Sequence, residues 1–227
     1  MSARSLSELF ANYQLSLNMD KDLEAGEVFY KYFSPECRDM EYFGWSVAEC
    51  FVLEQYKYKG QNVCITVDEN DVCLDVGAYI GDSSVWMALQ GKARRVYAFE
   101  FSDAVYYLLR KNSVYAPECQ NRIVPVKKAV TDKDGSVPIQ ISQRDRLSSG
   151  NDVIINKEQY FAKYSQNSVC YVEGVNLDTF CAEPKEQPSF IKADVEGSES
   201  RLIEGARHML SQCKPKLPNS PGIIHTR

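Results

Sequence analysis

The sequence predicts an α/β fold, a three-layer sandwich built on a mostly parallel sheet. Apolar strand-like runs alternate with helical patterns through most of the chain, which is typical of a parallel sheet covered by helices on both faces. One such run, Val72–Val76, breaks into a turn that contains Gly77 and Gly81. The next apolar run, at 96–99, is closed by the acidic residue Glu100. A strand, a glycine turn, a helix and a carboxylate in this order indicate a small-molecule site of nucleotide type.

The composition fits one domain of ordinary size. A chain of 227 residues with 44% hydrophobic residues can bury a substantial core. Its net charge of −5 disfavours nucleic-acid binding and docking on anionic membranes, because both require a basic surface. No stretch approaches the ~20 apolar residues of a membrane helix, and the first residues lack the apolar centre of a signal peptide. We therefore expect a cytoplasmic protein.

The eight cysteines are scattered, without a Cys-x-x-Cys pair, and two histidines accompany them. Zinc sites use closely spaced pairs of ligands, so the sequence predicts no metal site of this kind. Several cysteines lie within apolar runs, Cys64 and Cys73 among them. We interpret these as small buried side chains in a reducing compartment.

Residues 1–60 are predicted to form a helical N-terminal appendage, and residues 61–227 the main domain. Apolar side chains recur at helical spacing in the appendage, and Ser34-Pro35 interrupts the pattern. The recurring side chains are Leu6, Leu9, Phe10, Tyr13, Val28, Phe29, Tyr32 and Phe33. No motif identifies the role of this segment. It is either a packing appendage or a wall over the ligand site.

The core elements follow in regular order. Ser102-Asp103 is predicted to start a helix with Asn112 on its apolar face, and Pro125 indicates an edge position for the third strand. The predicted elements are a short strand at 63–67, core strands at 72–76, 96–99 and 123–130, and helices at 83–89 and after residue 102.

Between residues 131 and 180 the rhythm is interrupted. A turn signal at 132–135 and strands at 137–141 and 168–175 predict an antiparallel excursion, with a polar loop at 142–151. The core resumes with a strand at 189–195. One helix is expected after it, with an apolar stripe that includes Leu202 and Met209, and Gly205 within that helix indicates a close contact.

The first loop disfavours dinucleotides. Gly77-x-x-x-Gly81 is not Gly-x-Gly-x-x-Gly, and no Gly-Lys-Ser/Thr follows, so an NAD-dependent oxidoreductase is the less favoured alternative. Such a loop suits a ligand without phosphates, and S-adenosylmethionine is one. Asp75 could meet its amino group, and Glu100 follows Gly81 by 19 residues, near the ~20 expected of a ribose-binding acid. The alternative is a simple tight turn followed by a surface charge.

A second candidate cluster is Lys192-Ala-Asp194-Val-Glu196. Alternate residues of a strand share a face, so these three charged side chains would point the same way. Central strands of parallel sheets are normally apolar on both faces, so charges there need partners or a function. The alternative is a Lys–Asp pair that only fixes the strand end.

Six blocks, in this order, resemble those of FkbM-type methyltransferases. The Ile-Lys-x-Asp-Val-Glu-Gly block, with Leu-Asp-x-Phe before it, is the most specific, whereas the first loop is shared by class I methyltransferases generally. The blocks are Asp75-Val-Gly-Ala-Tyr-Ile-Gly81, Tyr97-Ala-Phe-Glu100, Leu109 with Asn112, Val175-Asn-Leu-Asp-Thr-Phe180, Ile191-Lys-Ala-Asp-Val-Glu-Gly197 with Glu199, and Gly205-Ala206 with Lys214-Pro215.

This resemblance implies a Rossmann-like fold, S-adenosylmethionine as cofactor, and O-methylation of a hydroxyl on a sugar, glycan or natural product. It implies that Asp75, Gly77, Ala78 and Gly81 line the methionine end and that Tyr79 also binds the cofactor. It further implies that Glu100 binds the ribose, that Ala129 lies near the adenine, and that Asp194 lies next to the methyl group.

A hydroxyl acceptor must lose its proton at some stage. Asp194 or Glu196 could act as the base, with Lys192 tuning the carboxylate. His225 is a third candidate by resemblance, although a lone histidine in a tail is more often a bystander. A divalent metal between Asp194 and Glu196 is the weaker alternative, because no further ligand pair is visible.

After 214–217 the chain has a strand-breaking run, Pro218-Asn-Ser-Pro-Gly222, where the family continues into a fifth core strand. We therefore expect shortened C-terminal strands and an exposed edge on the fourth core strand, which a second copy of the chain could cover. The functional alternative is a truncated, non-catalytic homologue that keeps the fold and cofactor binding.

Overall fold

The computed structural model describes residues 19–38, 41–141, 153–154, 168–182, 187–195 and 197–218. Within them no helix is long and apolar enough to cross a membrane. The helices are α1 (Met19–Tyr32), α2 (Pro35–Arg38), α3 (Glu41–Phe51), α4 (Asp82–Leu89), α5 (Asp103–Tyr115), α6 (Leu177–Ala182), α7 (Glu199–Glu204) and α8 (Arg207–Cys213). The strands are β1 (Tyr58–Lys59), β2 (Cys64–Ile65), β3 (Val72–Val76), β4 (Arg95–Phe99), β5 (Ile123–Val126), β6 (Ala129–Val130), β7 (Gly135–Ile141), β8 (Val153–Ile154), β9 (Ser168–Val175) and β10 (Phe190–Ala193).

The central sheet has the order β10-β3-β4-β5, and all of its neighbouring strands run parallel. This confirms the predicted α/β fold with a parallel sheet. β5 lies at one edge, as Pro125 indicated, because proline cannot donate a ladder hydrogen bond. The register aligns Lys192 of β10 with Asp75 of β3, so two of the predicted site residues stand side by side.

Side chains alternate between two apolar layers, one on each face of the central sheet. Cys73, Ala98 and Phe190 belong to one layer, which also includes residues of α4 and α5. Leu74 and Ile191 belong to the other, with residues of α6, α7 and α8. Helices therefore cover both faces, which is the three-layer arrangement expected for such a sheet.

The N-terminal segment is part of the first apolar layer. Phe33, Phe43 and Val47 are buried in the same cluster as Ile80 and Trp86. As Ser34-Pro35 predicted, α1 ends at Tyr32 and α2 begins at Pro35, since proline is well tolerated at the first helical position. Leu6, Leu9, Phe10 and Tyr13 lie outside the described residues, and a domain boundary at residue 60 stays a prediction.

The single third strand predicted over 123–130 is wrong. β5 ends at Val126, and the backbone N–H of Lys128 donates to the Val126 carbonyl at 2.9 Å, which closes a tight turn. β6 then joins a second sheet of order β6-β9-β7-β8. In this sheet β7 runs antiparallel to both β8 and β9, which confirms the antiparallel excursion. The loop predicted at 142–151 lies outside the described residues.

The single helix predicted after residue 197 is also wrong, because it breaks at Gly205 into α7 and α8. The Gly205 carbonyl accepts the backbone N–H of Asp178 at 2.8 Å. The Asp178 carboxylate accepts the N–H groups of His208 and Met209 at 3.0 and 2.7 Å and so caps α8. A Cβ atom on Gly205 would lie 2.2 Å from the carbonyl oxygen of Thr131, which confirms the close contact.

The strand predicted at 63–67 is shorter than expected. Only Cys64–Ile65 is a strand, paired antiparallel with Tyr58–Lys59 in a two-stranded hairpin. Cys64 is exposed there, so its predicted burial is wrong, whereas Cys73 is fully buried in β3. The hairpin has too few residues to cover its own side chains.

The outer edge of β10 is partly paired. The Lys216 N–H donates to the Ser189 carbonyl at 2.8 Å, and the Ile191 N–H donates to the Lys216 carbonyl at 2.9 Å. These bonds form an isolated parallel bridge beside Phe190. The exposed edge expected from the sequence is therefore covered at this position by the chain itself. Residues 219–227 lie outside the described residues.

Candidate functional site

The glycine loop, residues 77–81, folds across the carboxyl end of β4. The backbone N–H groups of Gly77 and Ala78 both donate to the Phe99 carbonyl, at 3.1 and 2.9 Å. Ala78 is fully buried, and Tyr79 and Gly81 both have positive φ, of 51° and 91°. The loop is therefore held by backbone hydrogen bonds to the neighbouring strand, at the sheet end where such folds bind ligands.

Gly77 brings the two candidate clusters together. Its φ is +73°, and an added Cβ atom would lie 2.0 Å from the carbonyl oxygen of Asp194. Only glycine permits both the conformation and this approach. The Asp194 N–H donates to the Val76 carbonyl at 3.0 Å, so the end of β10 is tied directly to the start of the glycine loop.

Glu100 is buried at the end of β4 and is 3% exposed. Its Oε2 accepts the Tyr79 N–H at 3.2 Å, and its Oε1 accepts the Ser102 N–H at 2.8 Å. Burial raises the pKa of this carboxyl to about 7, although the hydrogen bonds from backbone N–H groups act in the opposite direction. The surface charge that the sequence left open is thus excluded, and the carboxyl group lies against the glycine loop.

Asp75 and Lys192 form a buried ion pair, with exposures of 0% and 3%. Lys192 Nζ lies 3.2 Å from Asp75 Oδ1, in an ion-pair contact without hydrogen-bond geometry. Asp75 Oδ2 accepts the hydroxyls of Ser83 and Ser84 at 2.7 and 2.5 Å. Asp75 therefore anchors the first turn of α4, and its contact with a ligand amino group stays a prediction.

The ammonium of Lys192 also holds the glycine loop, donating to the Gly77 carbonyl at 2.6 Å. Burial alone would lower the pKa of Lys192, but the Asp75 carboxylate, together with Asp194 and Asp82, raises it well above its ordinary value. Lys192 is therefore a permanent buried cation. It lies on the opposite face of β10 from Ile191, as strand alternation predicted.

The side chain of Asp194 differs from its neighbours because the residue is exposed. Its Oδ2 accepts a hydrogen bond from the Tyr56 hydroxyl at 3.4 Å. An exposed carboxylate beside the glycine loop can contact a ligand that lies over the loop. Glu196 and His225, the other candidate bases, lie outside the described residues.

In the described part of the N-terminal segment, the side chains of Phe43, Cys50 and Tyr56 contact the site, and none of these contacts was predicted. The Phe43 ring packs edge-on against Tyr79 at 5.5 Å, and the Cys50 thiol lies 3.7 Å from Asp82 Oδ2. Burial raises the pKa of Asp82 to about 6. No sequence pattern marks these residues, because their partners lie far away in the chain.

Asn112, on helix α5, forms hydrogen bonds to both the glycine loop and the N-terminal segment. Its Nδ2 donates to the Ile80 carbonyl at 2.7 Å, and its Oδ1 accepts the Ser34 N–H at 2.9 Å. A buried amide with two backbone partners fixes the loop against the N-terminal segment.

Ala129 lies elsewhere, buried in the second sheet opposite Gly174 and packed with Val137 and Ile139. Its position near an adenine stays a prediction. The structure thus brings together the glycine loop, Asp75, Glu100, Lys192 and Asp194. No group of three or more metal-binding side chains occurs among the described residues.

The model of the methyltransferase FkbM domain matches residues 75–225 of this chain. No curated protein matches this chain. Among solved structures, methyltransferase FkbM from Methylobacillus flagellatus KT is 18% identical over 87% of this chain, with a TM-score of 0.47. The match covers 47% of that protein, so this chain spans about half of its length.

Two further solved structures match with lower TM-scores. TYW2 from M. jannaschii in complex with AdoMet is 29% identical over 27% of each chain, with a TM-score of 0.25. TYW2 from P. horikoshii in complex with MeSAdo is 12% identical over 55% of this chain and 62% of that one, with a TM-score of 0.27.

Proposed function

We propose that this chain, which belongs to the FkbM methyltransferase family, transfers a methyl group from S-adenosylmethionine to a hydroxyl of a sugar, glycan or natural product. The observation that carries the proposal is the contact between Gly77 and the Asp194 carbonyl. It places the glycine loop next to the sequence block that is most specific to the family, so that a single bound ligand can contact both.

Glu100 fits the ribose of S-adenosylmethionine. A carboxylate offers about four acceptor positions, and backbone N–H groups of Tyr79 and Ser102 occupy one on each oxygen. The remaining acceptor capacity of the carboxylate suits hydroxyl groups of a ribose. The loop has no Gly-x-Gly and no lysine of P-loop type, which suits a cofactor without phosphates.

When bound, S-adenosylmethionine supplies an electrophilic methyl group on a sulfonium, and methyl transfer leaves S-adenosylhomocysteine and a proton. The protein mainly has to align the acceptor and receive that proton. Among the described residues, Asp194 is the candidate for both tasks, because its carboxylate is exposed beside the glycine loop. Lys192 is buried and committed to Asp75 and Gly77, so its proposed part is to hold these groups in place.

Calorimetric titration with S-adenosylmethionine, S-adenosylhomocysteine and NAD tests the cofactor. We expect saturable binding of the first two and none of NAD. Release of S-adenosylhomocysteine during incubation with free sugars, oligosaccharides and hydroxylated polyketides then tests the acceptor class. Failure of both sulfur ligands to bind would contradict the proposal. Binding without turnover on any hydroxylated acceptor would favour a non-catalytic homologue instead.

A further inference from the structure

Tyr56 lies in the turn between α3 and β1, outside every sequence block that resembles the family. It is 4% exposed, and its ring centroid lies 6.4 Å from that of Trp86. The segment that carries Tyr56 therefore places an aromatic side chain inside the core, next to the end of β10.

The hydroxyl and the ring of Tyr56 each lie beside a charged residue, the first beside Asp194, which follows β10, and the second beside Lys192 within β10. Its hydroxyl donates to Asp194 Oδ2 at 3.4 Å, and the Lys192 ammonium lies 5.4 Å from the centre of its ring. Such a distance is within range of a cation–π contact. Burial raises the pKa of the Tyr56 hydroxyl, so the phenol is neutral and keeps its proton to donate.

We propose that Tyr56 is a positioning residue that turns the Asp194 carboxylate toward the glycine loop, where it faces the sulfonium of the cofactor. The inference rests on the proposed function. It assigns to the N-terminal segment a direct part in the site, beyond packing.

Tyr56 can restrict one remaining motion of Asp194, the rotation of its side chain. The Asp194 backbone is already fixed, since its N–H bonds to Val76 and its carbonyl lies against Gly77. The exposed side chain can still rotate, and ordering it requires a partner. A hydrogen bond to a charged acceptor is stronger than one to a neutral acceptor, and such bonds are often long before the ligand arrives.

Packing alone does not account for the hydroxyl. A phenylalanine at position 56 would retain the contact with Trp86 and the ring beneath Lys192, and it would not require a buried donor to find an acceptor. The hydroxyl is therefore the part of the side chain that acts on Asp194.

The test compares the dissociation constants of S-adenosylmethionine and S-adenosylhomocysteine, because only the first carries a positive sulfonium. Calorimetry would be run on the wild type, Y56F, D194N and the double variant. Y106F is the matched control, because it also loses a hydroxyl, one that lies 3.5 Å from the Pro125 carbonyl. A purely structural loss weakens both ligands equally, whereas a misdirected carboxylate weakens the sulfonium ligand more.

We expect Y56F to weaken S-adenosylmethionine about 3–10-fold relative to S-adenosylhomocysteine. D194N should shift the ratio in the same direction, Y56F should add nothing in the D194N background, and Y106F should leave the ratio unchanged. A wild-type ratio in Y56F together with a shifted ratio in D194N would overturn the inference while the proposed function stands. An unshifted ratio in D194N would overturn the inference as well. No binding of either ligand by the wild type would overturn the proposed function itself.

Discussion

Lys192 and Asp75 stand opposite each other on neighbouring parallel strands, with Nζ 3.2 Å from Oδ1 in a fully buried ion pair. The same ammonium donates to the Gly77 carbonyl. One buried cation thus neutralises the carboxylate that anchors α4 and fixes the first residue of the glycine loop. This charge therefore connects two of the sequence blocks that resemble the family, the one that begins at Asp75 and the one that contains Lys192.

Replacing Lys192 with methionine should leave Asp75 as an unpaired buried charge. We expect the free energy of unfolding to fall by about 3–5 kcal/mol, as measured by urea denaturation. The double variant D75N/K192M should recover part of this loss because neither of these two positions then carries a buried charge. A double variant as unstable as K192M would show that the pair contributes little beyond packing.

Replacing Gly77 with alanine should separate β10 from the loop. The new Cβ atom would lie 2.0 Å from the Asp194 carbonyl oxygen, whereas a Cβ atom on Gly135, with a similar φ of +94°, would meet nothing within 4 Å. Conformational strain of about 1–2 kcal/mol is common to both variants. We expect G77A to lose more stability than G135A in urea denaturation, and to lose S-adenosylmethionine binding. Equal losses in the two variants would contradict the close approach.

Replacing Glu100 with alanine should weaken S-adenosylmethionine binding by ~1–3 kcal/mol, because ribose hydroxyls lose their acceptor. Calorimetry measures the change, and E118A provides the control, since Glu118 is an exposed acid. An unchanged dissociation constant in E100A would remove the ribose assignment.

The pKa of Glu100, about 7 in the ligand-free protein, also makes binding depend on pH. Ribose hydroxyls donate to the ionised carboxylate, so binding favours deprotonation and should release protons near pH 7. Affinity should therefore fall as the pH drops below 7. Calorimetry in two buffers with different ionisation enthalpies measures the released protons, and E100Q should abolish the difference between the buffers.

Asp82 should destabilise the protein at neutral pH. Its pKa is raised from 3.8 to about 6 by burial, so the folded state binds more protons than the unfolded state and stability falls as the pH rises through 6. D82N should therefore be more stable than the wild type by about 1–3 kcal/mol at pH 8. The gain should shrink between pH 6 and pH 4, as followed by urea denaturation. A gain that is the same at pH 8 and pH 4 would contradict the shifted pKa.

Local patterns predicted the sheet and its glycine loop because those features are written in neighbouring residues. Pro125 indicates an edge strand because proline has no backbone N–H. Strand alternation places the side chains of Lys192 and Ile191 on opposite faces of β10. The break at Gly205 was missed because Asp178, which caps α8, precedes it by a whole strand and helix. Tyr56 was missed for the same reason, since its partner Asp194 lies 138 residues away.

The apolar cluster that runs from Phe33 to Ile80 and Trp86 without interruption has a consequence for modularity. The N-terminal segment cannot be replaced as an independent unit, because its removal would expose apolar side chains of the glycine loop and of α4. Grafting the equivalent segment of another protein would require matching aromatic side chains in the same places. In the described part of this segment we therefore expect substitutions to be tolerated on the outer surface, while its inner surface must keep the shape of the site it supports.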